Sequence, residues 1–410
     1  MGAQISTKKV LLFTALILAV VAIYFSASGT GNFSRFFSKG DKNSLSASVS
    51  NSPEAKQEGE EILRNVKIEN MIGQMLMVGF RGTQAPAESD IAVAVRELGI
   101  GGVILFDKDL TNSAAPRNIE SPKQLLALTN QLQSYAATPL LISVDGEGGP
   151  VNRLSSKYGF KEIPSAKEVA SKNDLAYAGQ VYSGLAEELD EAGINFNLAP
   201  VLDLDSPANP IIGKLGRSFS SDPKVVSDFA RVFIVEHNKK GVVTALKHFP
   251  GQGNATVDNH VAKADITGQY QSREIEPFES LIKDGTVRAV MVSHIYNRRI
   301  DSKYPASMSG KFVNEILRKM LGFEGVVITD DMQMGILDEF GLKRAIIESI
   351  NAGCDIILIG NNLKKYDPVI ASRAYNAIYD AVVEGEIPRE RIEESYVRII
   401  RLKKAINLIK

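Results

Sequence analysis

Short apolar runs recur along the chain at 75–80, 102–106, 140–145, 196–203, 242–249, 289–295, 325–331 and 355–360, each rich in Val, Ile and Leu. Runs of this length without strict polar alternation suit strands buried on both faces. Between them, segments such as 174–192, 223–240 and 310–321 carry apolar residues at helical spacing. Strand and helix in alternation predict parallel βαβ units. Eight units spread over residues 60–410 predict an α/β fold, a single closed (β/α)8 barrel of TIM type with enlarged loops. A doubly wound open sheet is the competing arrangement. The polar residues favour the barrel: Asp145, Asp203, Lys247-His248, Ser293-His294 and Asp330-Asp331 all end their apolar runs. That is the face on which barrel enzymes build their sites, and residues serving packing alone would be scattered.

The first residues follow a different pattern. Lys8-Lys9 precede an apolar run at 10–25, broken by Thr14 and somewhat shorter than the roughly 20 residues of a spanning helix. Ser26-Ala27-Ser28 supplies small residues where a signal peptidase can cut, so 1–28 reads as a signal-anchor or a signal peptide. Both place the remainder outside the cytoplasm: anchored to the cell membrane with an extracytoplasmic barrel, or secreted or periplasmic if the signal is cleaved. Met-Gly-Ala-Gln-Ile-Ser fits the bare myristoylation pattern, but the apolar run already accounts for this end. Residues 29–59, rich in Ser, Gly, Asn and Lys, read as a disordered spacer.

Charge and cysteine narrow the partners. With 47 Lys+Arg against 48 Asp+Glu, the 410-residue chain has no general attraction for nucleic acid. Cys354 stands alone, which excludes an intramolecular disulfide, and its apolar setting reads as a small buried hydrophobe. His248, His260 and His294 share one face with several Asp residues, yet no close His-x-His or His-x3-His pair ends a strand, so no metal is expected. Gly148-Gly149 and Gly251-Gln252-Gly253 lack the spacing and the Lys-Ser/Thr of a nucleotide loop, and no cofactor is expected.

Several residues can carry chemistry. Asp330 ends the run Gly-Val-Val-Ile-Thr, where its carboxylate can act as a nucleophile at the barrel mouth or cap the next helix; Asp331 can equally be the capping residue. Asp258 and His260 lie two residues apart on the loop after the fifth strand, on one side of an extended chain. A carboxylate beside an imidazole orients the ring and raises its proton affinity, giving an acid/base near neutrality. Lys247 and His248 can donate to a hydroxyl-rich ligand, or Lys247 can form a buried ion pair with Asp145 or Asp203. Asp145 and Arg217 add an acceptor and a planar donor fork suited to a polar sugar.

Five blocks carry a resemblance: Asp-Gly-Glu-Gly-Gly-Pro-Val-Asn-Arg at 145–153, Asn-Phe-Asn-Leu-Ala-Pro-Val-Leu-Asp at 195–203, Gly-Arg-Ser-Phe-Ser at 216–220, Ala-Leu-Lys-His-Phe-Pro-Gly-Gln-Gly at 245–253 with Asp258-Asn259-His260, and Gly-Val-Val-Ile-Thr-Asp at 325–330. From about residue 60 to 405 the chain resembles the β-N-acetylhexosaminidases of glycoside hydrolase family 3, in the single-domain β-N-acetylglucosaminidase branch. The resemblance implies a retaining exo-glycosidase that releases terminal β-linked N-acetylglucosamine, with Asp330 as nucleophile and His260 with Asp258 as acid/base dyad. It also implies a sugar-binding set of Asp145, Arg153, Arg217, Lys247 and His248. No second domain is expected, leaving the dyad as the acid/base. Joined to the export segment, the resemblance points to peptidoglycan fragments as substrate and to a monomer. A histidine in place of a second carboxylate avoids added negative charge beside Asp330, which keeps an N-acetylglucosaminide phosphorylase as an alternative. A non-catalytic surface sugar-binding protein is the other. Gln252 stands where the family usually has a histidine, and Pro150 where a basic residue is common.

Overall fold

The computed structural model describes residues 52–110, 116–257, 264–363 and 365–409. The segment 1–28, most of the spacer 29–59, and both Asp258 and His260 lie outside the described residues. Among the described residues, no helix is long and apolar enough to cross a membrane.

Each of the eight apolar runs contains a strand: β1 (Leu76–Gly79), β2 (Gly102–Leu105), β3 (Leu141–Val144), β4 (Phe196–Asn197), β5 (Val243–Phe249), β6 (Ala289–Val292), β7 (Val326–Thr329) and β8 (Ile357–Ile359). Every residue in them is buried, as strands covered by helices on one side and a packed interior on the other must be. They form one parallel sheet in the order β8-β1-β2-β3-β4-β5-β6-β7, and a parallel bridge between Ile328 and Ile356 joins its two edges. The sheet is therefore a TIM-like barrel, and the open-sheet alternative falls. Ile359, Val78, Val103 and Ile142 stand in register around one side of it.

The fourth strand is much shorter than the 196–203 run. Pro200 has no N–H to give a ladder, and Asn197 spends its side-chain amide on Gly146. Beyond it the chain follows β5 loosely, with Leu202 N donating to Lys247 O at 2.6 Å and Lys247 N to Pro200 O at 3.1 Å. The helices expected at 174–192, 223–240 and 310–321 appear as Leu175–Glu191, Pro223–Lys239 and Lys311–Met320. Asp174 and Asp222 cap the first two, their carboxylates accepting backbone N–H groups of the first turn.

One boundary needs correction. The helix Pro53–Leu63 occupies the end of the segment expected to be a spacer. Ser52 caps it and Pro53 sits in its first turn, where a missing N–H costs nothing. Arg401 then ties it to the last helix, Arg389–Ala405, through Glu58 Oε2 at 2.9 Å and Ala55 O at 2.6 Å. Composition pointed to disorder because this helix buries little of its own; its docking partner lies over 300 residues away.

The N-terminal end of the barrel is sealed by charge. Asp355, fully buried just before β8, accepts from Arg318 at 2.5 Å, from Arg391 and Arg398 at 3.1 Å each, from Ser395 at 2.9 Å and from Val327 N at 2.9 Å. Nearby, the buried Lys403 ammonium donates to Gln74 Oε1 at 2.6 Å and to Gly101 O at 3.1 Å.

Candidate active site

At the opposite end, the chain leaves β3 through Asp145 into a small hairpin, Gly146–Gly148 paired with Val151–Asn152. Gly148 and Gly149 turn it with φ of 89° and 56°, which side-chain-bearing residues avoid. The Gly-Gly pair thus serves a tight turn. Pro150 stands exposed at its tip. The hairpin aims two carboxylates inward. Asp145 accepts from Lys247 Nζ at 2.8 Å and from Arg153 Nη2 at 3.1 Å. Glu147 lies 2.6 Å from the same Lys247 Nζ and takes Arg217 in a two-point grip at 2.7 and 2.8 Å.

Burial opposes ionisation of Asp145, Glu147, Lys247 and Arg217, and the charges around them overcome it. Burial raises Asp145, but Lys247 and Arg153 hold it well below the usual carboxylate range. Glu147 is likewise pushed up by burial and drawn down further by Arg217 and Lys247, to about 2. Burial lowers Lys247, and Asp145 with Glu147 reverse the sign and raise it. The result is a charged lattice that stays ionised across ordinary pH.

Lys247 and His248 lie near the end of β5, within a register irregularity between Leu246 and Phe249. His248 Nδ1 donates to Asp203 Oδ2 at 2.6 Å, which leaves Nε2 as the nitrogen available to a ligand. Asp203 Oδ1 also accepts Gln252 N at 2.8 Å, and Asn209 Nδ2 donates to Gln252 O at 2.8 Å and Gly253 O at 3.1 Å. Glu274 accepts Asn254 N at 3.1 Å and Leu204 N at 3.3 Å; burial, with Asp203 adding to it, pushes this carboxyl up to about 8. The loop leading towards 258–260 therefore starts from a firmly held base.

Asp330 follows β7. Its Oδ1 accepts the neighbouring Asp331 N at 2.8 Å, and its own N donates to Val292 O. Asp331 takes the structural part: its Oδ1 accepts Gln333 N and Gly360 N, each at 3.0 Å. A Cβ on Gly360 would collide with that carboxylate. His294 is also committed to the frame, with Nε2 donating to Asp331 O at 3.1 Å and Nδ1 accepting from Ser307 Oγ at 2.6 Å.

A cavity of about 320 Å3 opens at this end, and Asp145, Arg153, Arg217, Lys247, His248, Gln252 and Asp330 all line it. Six of the eight expected site residues thus meet in one place; the other two, Asp258 and His260, lie outside the described residues. The buried ion pair weighed for Lys247 exists with Asp145, and Lys247 still reaches the cavity. Glu147 is a member of this cluster that no motif or strand end singles out in the sequence. Its position two residues after Asp145, on the same side of an extended chain, was the available signal. Among the described residues, no three His, Cys, Asp or Glu side chains are grouped to hold a metal ion.

Residues 67–402 match the family model described as Glycosyl hydrolase family 3 N terminal domain. The chain belongs to glycosyl hydrolase family 3. "Beta-hexosaminidase A" of Pseudoalteromonas piscicida is 33% identical over 371 residues, covering 81% of this chain and 60% of that protein. A "Beta-hexosaminidase" of Methylobacillus flagellatus is 34% identical over 310 residues, covering 72% of this chain and 83% of the relative. Among solved structures, a family 3 beta-N-acetylglucosaminidase from Paenibacillus sp. superposes with a TM-score of 0.75 at 31% identity, over 84% of this chain and 63% of that one. A beta-N-acetylhexosaminidase from Beutenbergia cavernae gives 0.74 at 29%, over 83% and 99%. The chain therefore spans less than two thirds of the Pseudoalteromonas and Paenibacillus proteins. Pro150 lies at the exposed hairpin tip, while Gln252 is buried in the cavity wall.

Proposed function

We propose that this chain is a retaining exo-β-N-acetylhexosaminidase releasing terminal β-linked N-acetylglucosamine. The observation that carries the reading is the convergence of Asp330 with Lys247, His248, Arg153 and Arg217 on one cavity, in a chain of family 3. At about 320 Å3 the cavity lies near the lower end of the roughly 300–1,000 Å3 seen for small-molecule sites. That suits one sugar ring, with the leaving group outside. Asp330 attacks the anomeric carbon as the C1–O bond breaks, and the His260 imidazolium, oriented by Asp258, gives its proton to the leaving oxygen. Water then attacks C1 of the glycosyl ester, gives its proton to His260, and frees Asp330 and the sugar with its β configuration kept. Asp145, Arg153, Arg217, Lys247 and His248 hold the hydroxyls. Peptidoglycan fragments are the proposed natural source, supported by the apolar run at 10–25, which reads as an export segment and would put the barrel on the wall side of a membrane.

Turnover of a chromogenic β-N-acetylglucosaminide tests the reading. Asp330→Ala is expected to lower kcat at least about a thousandfold, as loss of a covalent nucleophile does. Wild type no faster than that variant would overturn it, and sugar phosphate formed on adding inorganic phosphate would redirect it to a phosphorylase.

A further inference from the structure

We infer that Asn197 and His237 are positioning residues that set the Asp145 and Glu147 carboxylates, and through them Lys247, from outside the barrel; the functional assay of this inference rests on the proposed glycosidase reading. Asn197 ends β4 and is fully buried. Its amide brackets one residue: Oδ1 accepts Gly146 N at 2.9 Å and Nδ2 donates to Gly146 O at 2.9 Å. Gly146 is the residue between Asp145 and Glu147, so its peptide plane decides where both carboxylates meet Lys247. A Cβ on Gly146 would stand 3.1 Å from the Asn197 amide, tighter than side chains usually tolerate.

What orients the amide is His237, fully buried on the helix Pro223–Lys239. Its Nδ1 lies 2.8 Å from Phe233 O, which can only accept, so Nδ1 carries the proton and Nε2 the lone pair. Nε2 then takes the second hydrogen of Asn197 Nδ2 at 3.0 Å. A flipped amide would turn its oxygen towards both Gly146 O and that lone pair. The ring is further fixed by stacking on Phe233, centroids 4.1 Å apart. Burying an imidazole and an amide is costly unless each partner is supplied. Here every partner is supplied, and the network ends on the one residue joining the two carboxylates.

The test compares full-length wild type with Asn197→Ala, His237→Phe and His237→Gln. N-acetylglucosamine binding by calorimetry is measured beside kcat and KM on the chromogenic substrate. Asn197→Ala is expected to weaken sugar binding and raise KM together, about tenfold, with kcat within about threefold of wild type. His237→Phe keeps the stacking but not the acceptor and should shift both about threefold in the same direction, while His237→Gln restores an acceptor and brings them back. Melting temperatures that fall while KM and sugar affinity stay at wild-type values would reduce the pair to packing and overturn the inference. Absence of wild-type turnover would count against the glycosidase reading alone, because the binding arm still measures the grip on the sugar.

Discussion

The two ends of the barrel bury carboxylates among cations in opposite ways. At the N-terminal end one carboxylate, Asp355, is surrounded by three guanidiniums, a hydroxyl and a backbone N–H, and no solvent reaches it. At the C-terminal end two carboxylates, Asp145 and Glu147, share Lys247 and each keeps a guanidinium of its own, and the lattice forms the wall of a cavity. Asp355 is a hub enclosed by its partners, although Arg318 and Arg398 themselves also line a cavity of about 630 Å3 at that end. Asp145 and Glu147 are held by an arrangement whose cations also line the space a ligand would fill. Similar chemistry therefore encloses a single carboxylate at one end, and at the other leaves Asp145 and three cations on a cavity that Asp330 shares.

Breaking the hub should produce the largest effect. Asp355→Ala leaves three guanidiniums around a buried void without a counter-charge, and removing one partner of a buried ion pair costs about 3–5 kcal/mol. A chemical denaturation curve should show that loss, while kcat/KM of the folded fraction stays within about threefold of wild type, since nothing at the mouth has changed. An equal loss of activity in the folded fraction would mean that the two ends are coupled. The mirror experiment is Lys247→Met. Arg153 and Arg217 still neutralise Asp145 and Glu147, so stability should fall less than for Asp355→Ala. The grip on substrate should weaken by about 1.5–3 kcal/mol, the worth of a hydrogen bond to a charged group, seen as roughly a tenfold to hundredfold rise in KM. A KM close to wild type would return Lys247 to the purely structural part weighed from sequence.

The ends differ also in how legible they were. All eight strands could be read because each is an unbroken apolar run, and burial on both faces leaves that mark. Lys247, His248 and Asp330 were found at the mouth because a polar residue closing such a run has few other reasons to be there. Glu147 was harder, since its short hairpin strand is otherwise glycine and only the two-residue spacing from Asp145 marks it. Asn197 and His237 were invisible in sequence: an asparagine on a strand and a histidine on a helix look ordinary until the fold sets them 3.0 Å apart. The Asp355 hub was unreadable for the same reason, its arginines coming from 318, 391 and 398. The helix Pro53–Leu63 was missed because its partner lies at the far end of the chain.

The finest contrast is between two buried lysines, Lys247 and Lys403. Lys247 sits between carboxylates that raise it, whereas burial alone lowers Lys403 to about 7. For Lys403 the unfolded chain binds more protons than the folded one between pH about 7 and the ordinary lysine value, so this group makes stability rise with pH across that window. Its penalty is fully present below about 7 and fades above. Lys247, raised in the fold, contributes stability that is constant over the same window and is lost only at higher pH. Denaturation curves from pH 7 to pH 9 should therefore separate the two variants. The stability of Lys403→Met relative to wild type should fall with rising pH, by at most about 1.4 kcal/mol per pH unit, the limit for one proton. The offset of Lys247→Met should stay flat. Parallel curves for Lys403→Met would show that Gln74 Oε1 and Gly101 O hold its ammonium charged at little cost.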